Sequence, residues 1–258
     1  EDRAGRIAGR RRALAMHPAE AAKRIFRALG FEVVRLKNVP RESLPRLRSR
    51  GFDSILDVGA NDGGFARSVV RHFPAAKIHC FEPLPGPAQA LRTWARDNGH
   101  SQVIVHEVAL SDHEGQAEII EHVDHSASSS LLPATPELRS LFPFTARTET
   151  RRITVTTLDA WAEREPRALG RSLLKLDVQG LEDRVLRGGR RTLSGVHACI
   201  VEVNIARLYE GQAQFATLVD ALQEAGLSYY GNLEQQHDAQ GAPLFVDCAF
   251  VRSAASAR

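Results

Sequence analysis

Two acidic residues and a glycine-rich turn mark where this sequence could bind a ligand. Asp57 lies near the end of an apolar run at 54–58, and the turn Gly59-Ala60-Asn61-Asp62-Gly63 follows directly. Glu82 comes immediately after the next apolar run, at 77–81. A glycine-rich turn lets the backbone approach a ligand closely, and the helix after it offers free N–H groups. A carboxylate such as Glu82 can accept hydrogen bonds from both hydroxyls of a ribose. This pattern predicts a nucleoside site.

The spacing of the glycines favours a sulfonium nucleoside over a dinucleotide. A nicotinamide dinucleotide site is typically G-x-G-x-x-G after an uncharged strand end. This turn has the pattern G-x-x-x-G-G, and it carries Asp57, Asn61 and Asp62 where a diphosphate would be repelled. A buried Asp57 also needs a cationic or hydrogen-bonding partner, which the ammonium of a methionine moiety would supply. An NAD(P)-dependent oxidoreductase and a turn that binds nothing stay open as alternatives.

Short apolar runs alternate with amphipathic segments from residue 51 onward. They predict strands at 54–58, 77–81, 103–110, 172–178, 198–203, 227–232 and 244–252, and helices at 64–72, 86–98, 181–186 and 214–225. This alternation indicates an α/β fold, with a doubly wound, Rossmann-like and mostly parallel sheet covered by helices on both faces. The catalytic domain then spans 51–252, and a short disordered tail follows at 253–258.

The positive charge is concentrated in the first fifty residues. Residues 1–50 carry a net charge of +9 and the remainder carries −6, so the overall +3 reflects a basic leader with helical spacing of its apolar residues. The leader lacks interleaved aromatic residues and any known nucleic-acid-binding motif, so nucleic acid is not a favoured partner. Nothing in the sequence sets the oligomeric state.

The apolar runs and the cysteines indicate a cytoplasmic protein. No apolar run approaches the roughly 18–20 residues that span a bilayer, and the N-terminus lacks the pattern of a secretory signal. The three cysteines, Cys80, Cys199 and Cys248, are widely separated in apolar runs. We therefore expect buried, reduced thiols rather than a disulfide framework or a zinc site.

A long irregular segment lies inside the predicted domain, at about 116–157. Its ends, 116–121 and 152–157, have the pattern of a hairpin, and the serine-rich stretch between them predicts an acceptor lid. Ser129 and Ser130 are candidate contacts to the acceptor substrate, and His125 is a candidate alternative base. A flexible serine-rich linker is the other interpretation.

A succession of short motifs resembles the FkbM-type methyltransferases over roughly 53–252. The motifs are Asp57-Val-Gly-Ala-Asn-Asp-Gly63, Phe81-Glu82-Pro83, Ala109-Leu110-Ser111-Asp112, Thr157-Leu158-Asp159, Leu174 to Glu182, Glu202-Val203 and Leu208-Tyr209-Glu210-Gly211. The resemblance implies the seven-stranded class I methyltransferase fold with S-adenosylmethionine as methyl donor. It also implies O-methylation of a hydroxyl on a sugar, glycolipid or polyketide-type natural product. A catalytically silent relative that binds S-adenosylmethionine is the remaining alternative.

The motifs and the strand ends together give a set of candidate site residues. The cofactor-binding candidates are Asp57, Gly59, Ala60, Asn61, Gly63, Glu82, Pro83, Ala109 and Leu110. Asp177 and Glu202 are candidate catalytic residues, because a carboxylate can orient a hydroxyl or take its proton. Asn204 is a candidate substrate contact. Two alternatives remain: Asp177 with Gln179 could cap the following helix, and a divalent metal is possible at Asp177, Glu202 and Asn204 but is not favoured.

Overall fold

The computed structural model describes residues 47–166 and 168–252. The helical leader predicted for 1–50 lies outside these residues as far as residue 46, and so does the tail predicted for 253–258. The described residues form an α/β fold built on a main sheet and a small side sheet.

The main sheet has seven strands in the order β3-β2-β1-β7-β8-β10-β9. The strands are β1 (Ser54–Val58), β2 (Lys77–Phe81), β3 (Val103–His106), β7 (Ser172–Leu176), β8 (Val196–Asn204), β9 (Leu227–His237) and β10 (Pro243–Arg252). The first five in spatial order are parallel, whereas β10 runs antiparallel to both β8 and β9. Every side chain of β1 and β7 is buried, as expected for strands covered on both faces.

Two apolar cores cover the two faces of this sheet. On one face, α1 (Gly64–Val69) and α2 (Pro85–Asp97) contribute to the core through residues such as Val69 and Leu91. The other core contains residues of α4 (Leu158–Arg164), α5 (Glu182–Arg187), α6 (Arg190–Leu193) and α7 (Phe215–Glu224). The prediction of a doubly wound, mostly parallel sheet is therefore confirmed.

The strand predicted at 103–110 is two strands that belong to different sheets. After β3, the chain leaves the main sheet and forms β4 (Ala109–Ser111), which pairs with β6 (Thr148–Thr157). β6 also pairs with β5 (Gly115–His122) in the predicted antiparallel hairpin. Only His106 and Glu107 interrupt the apolar residues of 103–110, and this pattern does not show where a chain changes its pairing partner, so two strands were predicted as one.

The segment between β5 and β6 has more regular structure than a serine-rich linker. It contains helix α3 (Pro136–Leu141), whose N-cap residue Thr135 accepts a hydrogen bond from the backbone N–H of Leu138 at 3.2 Å. Short 3-10 turns flank it at Ser126–Ser128 and Pro143–Thr145. Among the described residues, no helix is both long and apolar enough to cross a membrane. The three cysteines are free and buried, as predicted.

Candidate active site

The carboxyl ends of β1, β2, β7 and β8 meet at one edge of the main sheet, and two clefts open there. The first encloses about 570 Å³ between the glycine turn, Glu82 and the segment 126–130. The second is larger, about 1430 Å³, and is lined by polar side chains near α1. Gly59, Asn61 and Asp177 line both clefts, so the two are adjacent.

The glycine turn after β1 packs directly against the end of β7. Gly59 has a φ of +81°, and a Cβ added there would lie 1.9 Å from the carbonyl oxygen of Asp177. A Cβ on Gly63, with a φ of +96°, would lie 2.3 Å from Leu91. Both positions need glycine for space and for backbone conformation. The predicted importance of these two glycines thus has a physical cause.

Glu82 is held in the first cleft by backbone donors. Its Oε2 accepts from the N–H of Asn61 at 2.9 Å, and its Oε1 accepts from the N–H of Leu84 at 2.8 Å. Each oxygen keeps a further lone pair for a ligand hydroxyl. Burial raises the pKa of Glu82 to about 7, against the lowering effect of the two backbone hydrogen bonds.

Apolar residues line the first cleft beside Glu82. Phe81, Ala109, Leu110 and Ile119 contribute to this surface, and Pro83 lies next to them. A buried carboxylate for the ribose next to apolar walls for a purine matches the two halves of a nucleoside. The residues present therefore fit the nucleoside portion of S-adenosylmethionine.

Asp57 lies in the second cleft, away from the apolar walls that flank Glu82. It is 1% exposed, and its Oδ2 has no hydrogen-bond partner among the described residues. The ammonium group of a bound methionine moiety was expected to be the cationic partner of Asp57. The chain supplies one itself, because Lys175 is its register partner on β7. Burial raises the pKa of Asp57 to about 7, and the attraction of Lys175 opposes that rise.

Asp177 and Glu202 are brought together by a single amide. Gln179 Nε2 donates to Asp177 Oδ1 at 2.7 Å and to Glu202 Oε1 at 2.9 Å. Lys175 Nζ donates to the other Asp177 oxygen, Oδ2, at 3.0 Å. Burial and the charge of Asp177 raise the pKa of Glu202 well above its usual range. The two carboxylates therefore differ: one is bonded to an ammonium group, and the other protonates more readily.

The turn before α5 is held by Glu182 rather than by the side chains of Asp177 and Gln179, and no side chain caps the helix. Glu182 Oε1 accepts from the backbone N–H groups of Val178 at 3.0 Å and Gly180 at 3.2 Å. Glu182 is 1% exposed, although the sequence analysis had no expectation that it would be buried. Because Glu182 fixes the turn, the carboxylate of Asp177 is left to face the clefts.

Ser126, Ser129 and Ser130 line the first cleft, and their hydroxyls bond to the chain itself. Ser129 Oγ accepts from the N–H of His122 at 3.1 Å. Ser130 Oγ donates to the carbonyl oxygen of Gln179 at 2.8 Å and accepts from the N–H of Leu132 at 3.0 Å. Direct acceptor binding by Ser129 and Ser130 stays a prediction, whereas their contribution to the position of the segment is visible.

His125 and Asn204 are not brought to either cleft. His125 is exposed, its Nδ1 lies 2.7 Å from Ser128 Oγ, and its ring packs against Phe144. Asn204 is buried near the end of β8, and its backbone carbonyl accepts from Gln212. Neither residue is among those that line the clefts.

Three residues of the site were not assigned a site role from the sequence: Lys175, Gln179 and Tyr209. A lysine inside the otherwise apolar strand β7 was an available signal, because a buried lysine needs an acidic partner. The contacts of Gln179 and Tyr209 left no signal, since they join segments far apart in the chain. Within the described ranges, no group of three or more His, Cys, Asp and Glu side chains is arranged to hold a metal ion.

The fold and the site define the class of protein. A seven-stranded sheet of this order, with one reversed strand and a nucleoside-shaped cleft at its carboxyl edge, is the class I methyltransferase fold. The family model described as "Methyltransferase FkbM domain" matches residues 57–229. The chain belongs to the FkbM methyltransferase family and is an S-adenosylmethionine-dependent methyltransferase. The family resemblance seen in the sequence is confirmed, and the oxidoreductase alternative finds no support.

Two curated relatives match most of the domain. The chain is 31% identical over 178 residues to the 2-O-methyltransferase NoeI of Sinorhizobium fredii, covering 65% of this chain and 70% of NoeI. It is 32% identical over 162 residues to the 31-O-demethyl-FK506 methyltransferase FkbM of Streptomyces tacrolimicus, covering 54% and 60%. Among solved structures, it matches a methyltransferase FkbM from Methylobacillus flagellatus with a TM-score of 0.48 and 13% identity. That match covers 78% of this chain and 44% of the other.

Proposed function

We propose that this chain is an S-adenosylmethionine-dependent O-methyltransferase whose acceptor is a hydroxyl of a polyhydroxylated or glycosylated natural product. The observation that carries the proposal is the pairing of Asp177 with Glu202 beside a nucleoside-shaped cleft. Two relatives bear names that describe O-methylation, one of them at a 2-O position and the other at a 31-O position.

Asp177 has the geometry for orienting an acceptor hydroxyl. Gln179 and Lys175 each use one of its oxygens, and each oxygen keeps a lone pair that could accept the acceptor's O–H. When bound, S-adenosylmethionine would supply an activated methyl group for the acceptor oxygen, and its thioether would be the leaving group. An alcohol is a far weaker acid than a carboxyl group, so Asp177 takes the proton as the C–O bond forms rather than before it. Alignment of the hydroxyl supplies a large part of the acceleration.

The larger cleft suits a hydroxyl-rich acceptor. Carboxylates, a hydroxyl and an imidazole line it, including those of Asp62, Ser68 and His72. Such groups offer hydrogen-bond acceptors to several hydroxyls at once, and Phe65, Ile200 and Leu233 add apolar surface for the carbon skeleton of the acceptor. Asp177 lines both this cleft and the first cleft, which supports its proposed role as the base.

Binding and product analysis together test the proposal. Calorimetric titration with S-adenosylhomocysteine should give saturable binding, and titration with NAD should give none. Cell extracts incubated with labelled S-adenosylmethionine should then yield a labelled product whose mass and hydrolysis identify an O-methyl ether. Dinucleotide binding without thioether binding would refute the donor, whereas a labelled amine or carbon would refute O-methylation alone.

A further inference from the structure

The segment 126–130, which we call the lid, is fastened to both sides of the nucleoside cleft. At one end, Ser126 Oγ donates to Asn61 Oδ1 at 2.7 Å, on the glycine turn. At the other end, Ser130 Oγ donates to the carbonyl oxygen of Gln179 at 2.8 Å. Between them, the hydroxyl of Tyr209 lies 2.8 Å from the carbonyl oxygen of Ser128. The lid thus bridges the cofactor side and the acceptor side of the site.

Gln179 has an unfavourable backbone conformation. Its φ is +55°, in the left-handed region that is unfavourable for a residue with a side chain. Its amide nitrogen donates both hydrogens, to Asp177 and to Glu202. The amide oxygen must therefore face the remaining partner, the hydroxyl of Tyr209 at 2.7 Å. A flipped amide would point its oxygen at two carboxylates, which are also acceptors, so their repulsion fixes the orientation of the amide.

Tyr209 joins the lid to this amide. Its ring is 2% exposed and packs in an apolar cluster with Leu132 and Leu138, which follow the lid in the chain. Its hydroxyl has one hydrogen and two acceptors within reach, the lid carbonyl and the Gln179 amide oxygen. The position of the lid therefore constrains the hydroxyl of Tyr209. This hydroxyl in turn constrains the Gln179 amide, which bonds to both carboxylates.

We propose that Tyr209 and Gln179 form a latch through which closure of the lid over the cofactor aligns Asp177 and Glu202 for the acceptor. Tyr209 and Gln179 are then positioning residues, and Ser126 is the sensor at the far end of the lid. The inference rests on the proposed function, because it takes Asp177 and Glu202 as the acceptor-side groups. It assigns the lid a second task besides enclosing the cofactor.

Amide hydrogen exchange of the ligand-free protein tests the latch without any activity. Ser126→Ala removes only the far lid contact, to Asn61. The latch predicts that exchange speeds up roughly tenfold both in the lid and at the amides of Val178 and Gly180. In a Tyr209→Phe background, Ser126→Ala should still speed up exchange in the lid. The exchange rates of the amides at 178–180 should then equal those of the Tyr209→Phe single variant. Tyr229→Phe, which removes the exposed hydroxyl that donates to Asn232, is the matched control and should change neither region.

Two outcomes overturn the latch. The first is that Ser126→Ala speeds up exchange in the lid but leaves exchange at 178–180 unchanged. The second is that Ser126→Ala speeds up exchange at 178–180 equally with and without Tyr209→Phe. Should Tyr209→Phe fail to fold, Gln179→Met replaces it, because it removes the amide oxygen that accepts from Tyr209 and so cuts the same link. Failure of the parent protein to bind S-adenosylhomocysteine would instead refute the proposed function, whatever the exchange pattern, so the two failures are distinguishable.

Discussion

The cofactor end and the acceptor end of the site are built in different ways. At the cofactor end, Glu82 is held by the backbone N–H groups of Asn61 and Leu84, which come from the turns at the ends of β1 and β2. At the acceptor end, Asp177 and Glu202 are held by side chains, chiefly Gln179 and Lys175. A site fixed by backbone depends on local turns, whereas a site fixed by side chains depends on how distant segments pack.

Replacing Asp177 by Asn is the largest expected change at the acceptor end. An amide there cannot accept from both Gln179 and Lys175 or take a proton, so kcat should fall roughly 10²- to 10⁴-fold. The dissociation constant for S-adenosylhomocysteine should stay within about threefold, since Glu82 and the turn are untouched. Single-turnover kinetics and calorimetry measure the two quantities. Asp183→Asn, on the surface of α5, is the control, and a fully active Asp177→Asn enzyme would remove Asp177 from the mechanism.

Gly59→Ala should damage both ends together, because the turn contacts the backbone of Asp177. The added Cβ would meet the Asp177 carbonyl at 1.9 Å in a backbone with positive φ. We expect a loss of roughly 2–4 kcal/mol in the free energy of unfolding, measured by urea titration. Gly51→Ala shares the positive φ but has no atom within 4 Å of the added Cβ, so it isolates the conformational cost. Equal losses in the two variants would show that the close approach is unimportant.

Glu82→Gln should weaken cofactor binding and leave the acceptor end unchanged. One carboxylate oxygen becomes an NH₂ group facing a backbone donor, and a charge-assisted contact to the ribose is lost. The dissociation constant for S-adenosylhomocysteine should rise roughly 10- to 100-fold by calorimetry. Glu107→Gln, at an exposed pair with Arg92, should bind as the parent does. Unaltered affinity in Glu82→Gln would place the ribose elsewhere.

The smallest expected effect is the pH dependence of cofactor binding. Burial raises the pKa of Glu82 to about 7, and under the proposed function its ionised form is the one that accepts from both ribose hydroxyls. Affinity should therefore be highest above pH 7 and fall, by roughly tenfold, as the pH drops from 8 to 6. Asp57 also has its pKa raised to about 7, so Glu82→Gln is the discriminating control. A pH dependence that persists in Glu82→Gln would assign the titration to another buried acid, such as Asp57 or Glu182.

The sequence analysis was most successful where function depends on local turns. Gly59, Asn61, Glu82 and Pro83 were predicted from a strand, a glycine turn and a second strand, and all four line the first cleft. Ala60 lines the second cleft beside Asp57. Asp57 and Glu82 were both expected at one nucleoside site, but Asp57 lines the second cleft and Glu82 the first, while Asp177 lines both.

The sequence analysis was least successful where residues meet across the fold. His125 was a chemically reasonable base, yet the 3-10 turn at Ser126–Ser128 leaves it exposed beside Phe144. Gln179 was considered for a helix cap, but Glu182 holds the turn before α5, and the Gln179 amide bonds to Asp177 and Glu202. Tyr209 was recognised within a motif, although the two acceptor oxygens within reach of its hydroxyl belong to residues 30 and 81 positions earlier in the chain.

By itself, the sequence determined the strand–helix alternation, the glycine turn and the acid that follows β2, and with them the methyltransferase family. These features are set by hydrophobic periodicity and by backbone conformation, which act over a few residues. Only the tertiary structure decided which carboxylate pairs with Lys175, how one amide spaces Asp177 and Glu202, and where the lid is fastened. Such contacts depend on the packing of segments distant in sequence, and residue types in one chain do not encode that packing in any local pattern.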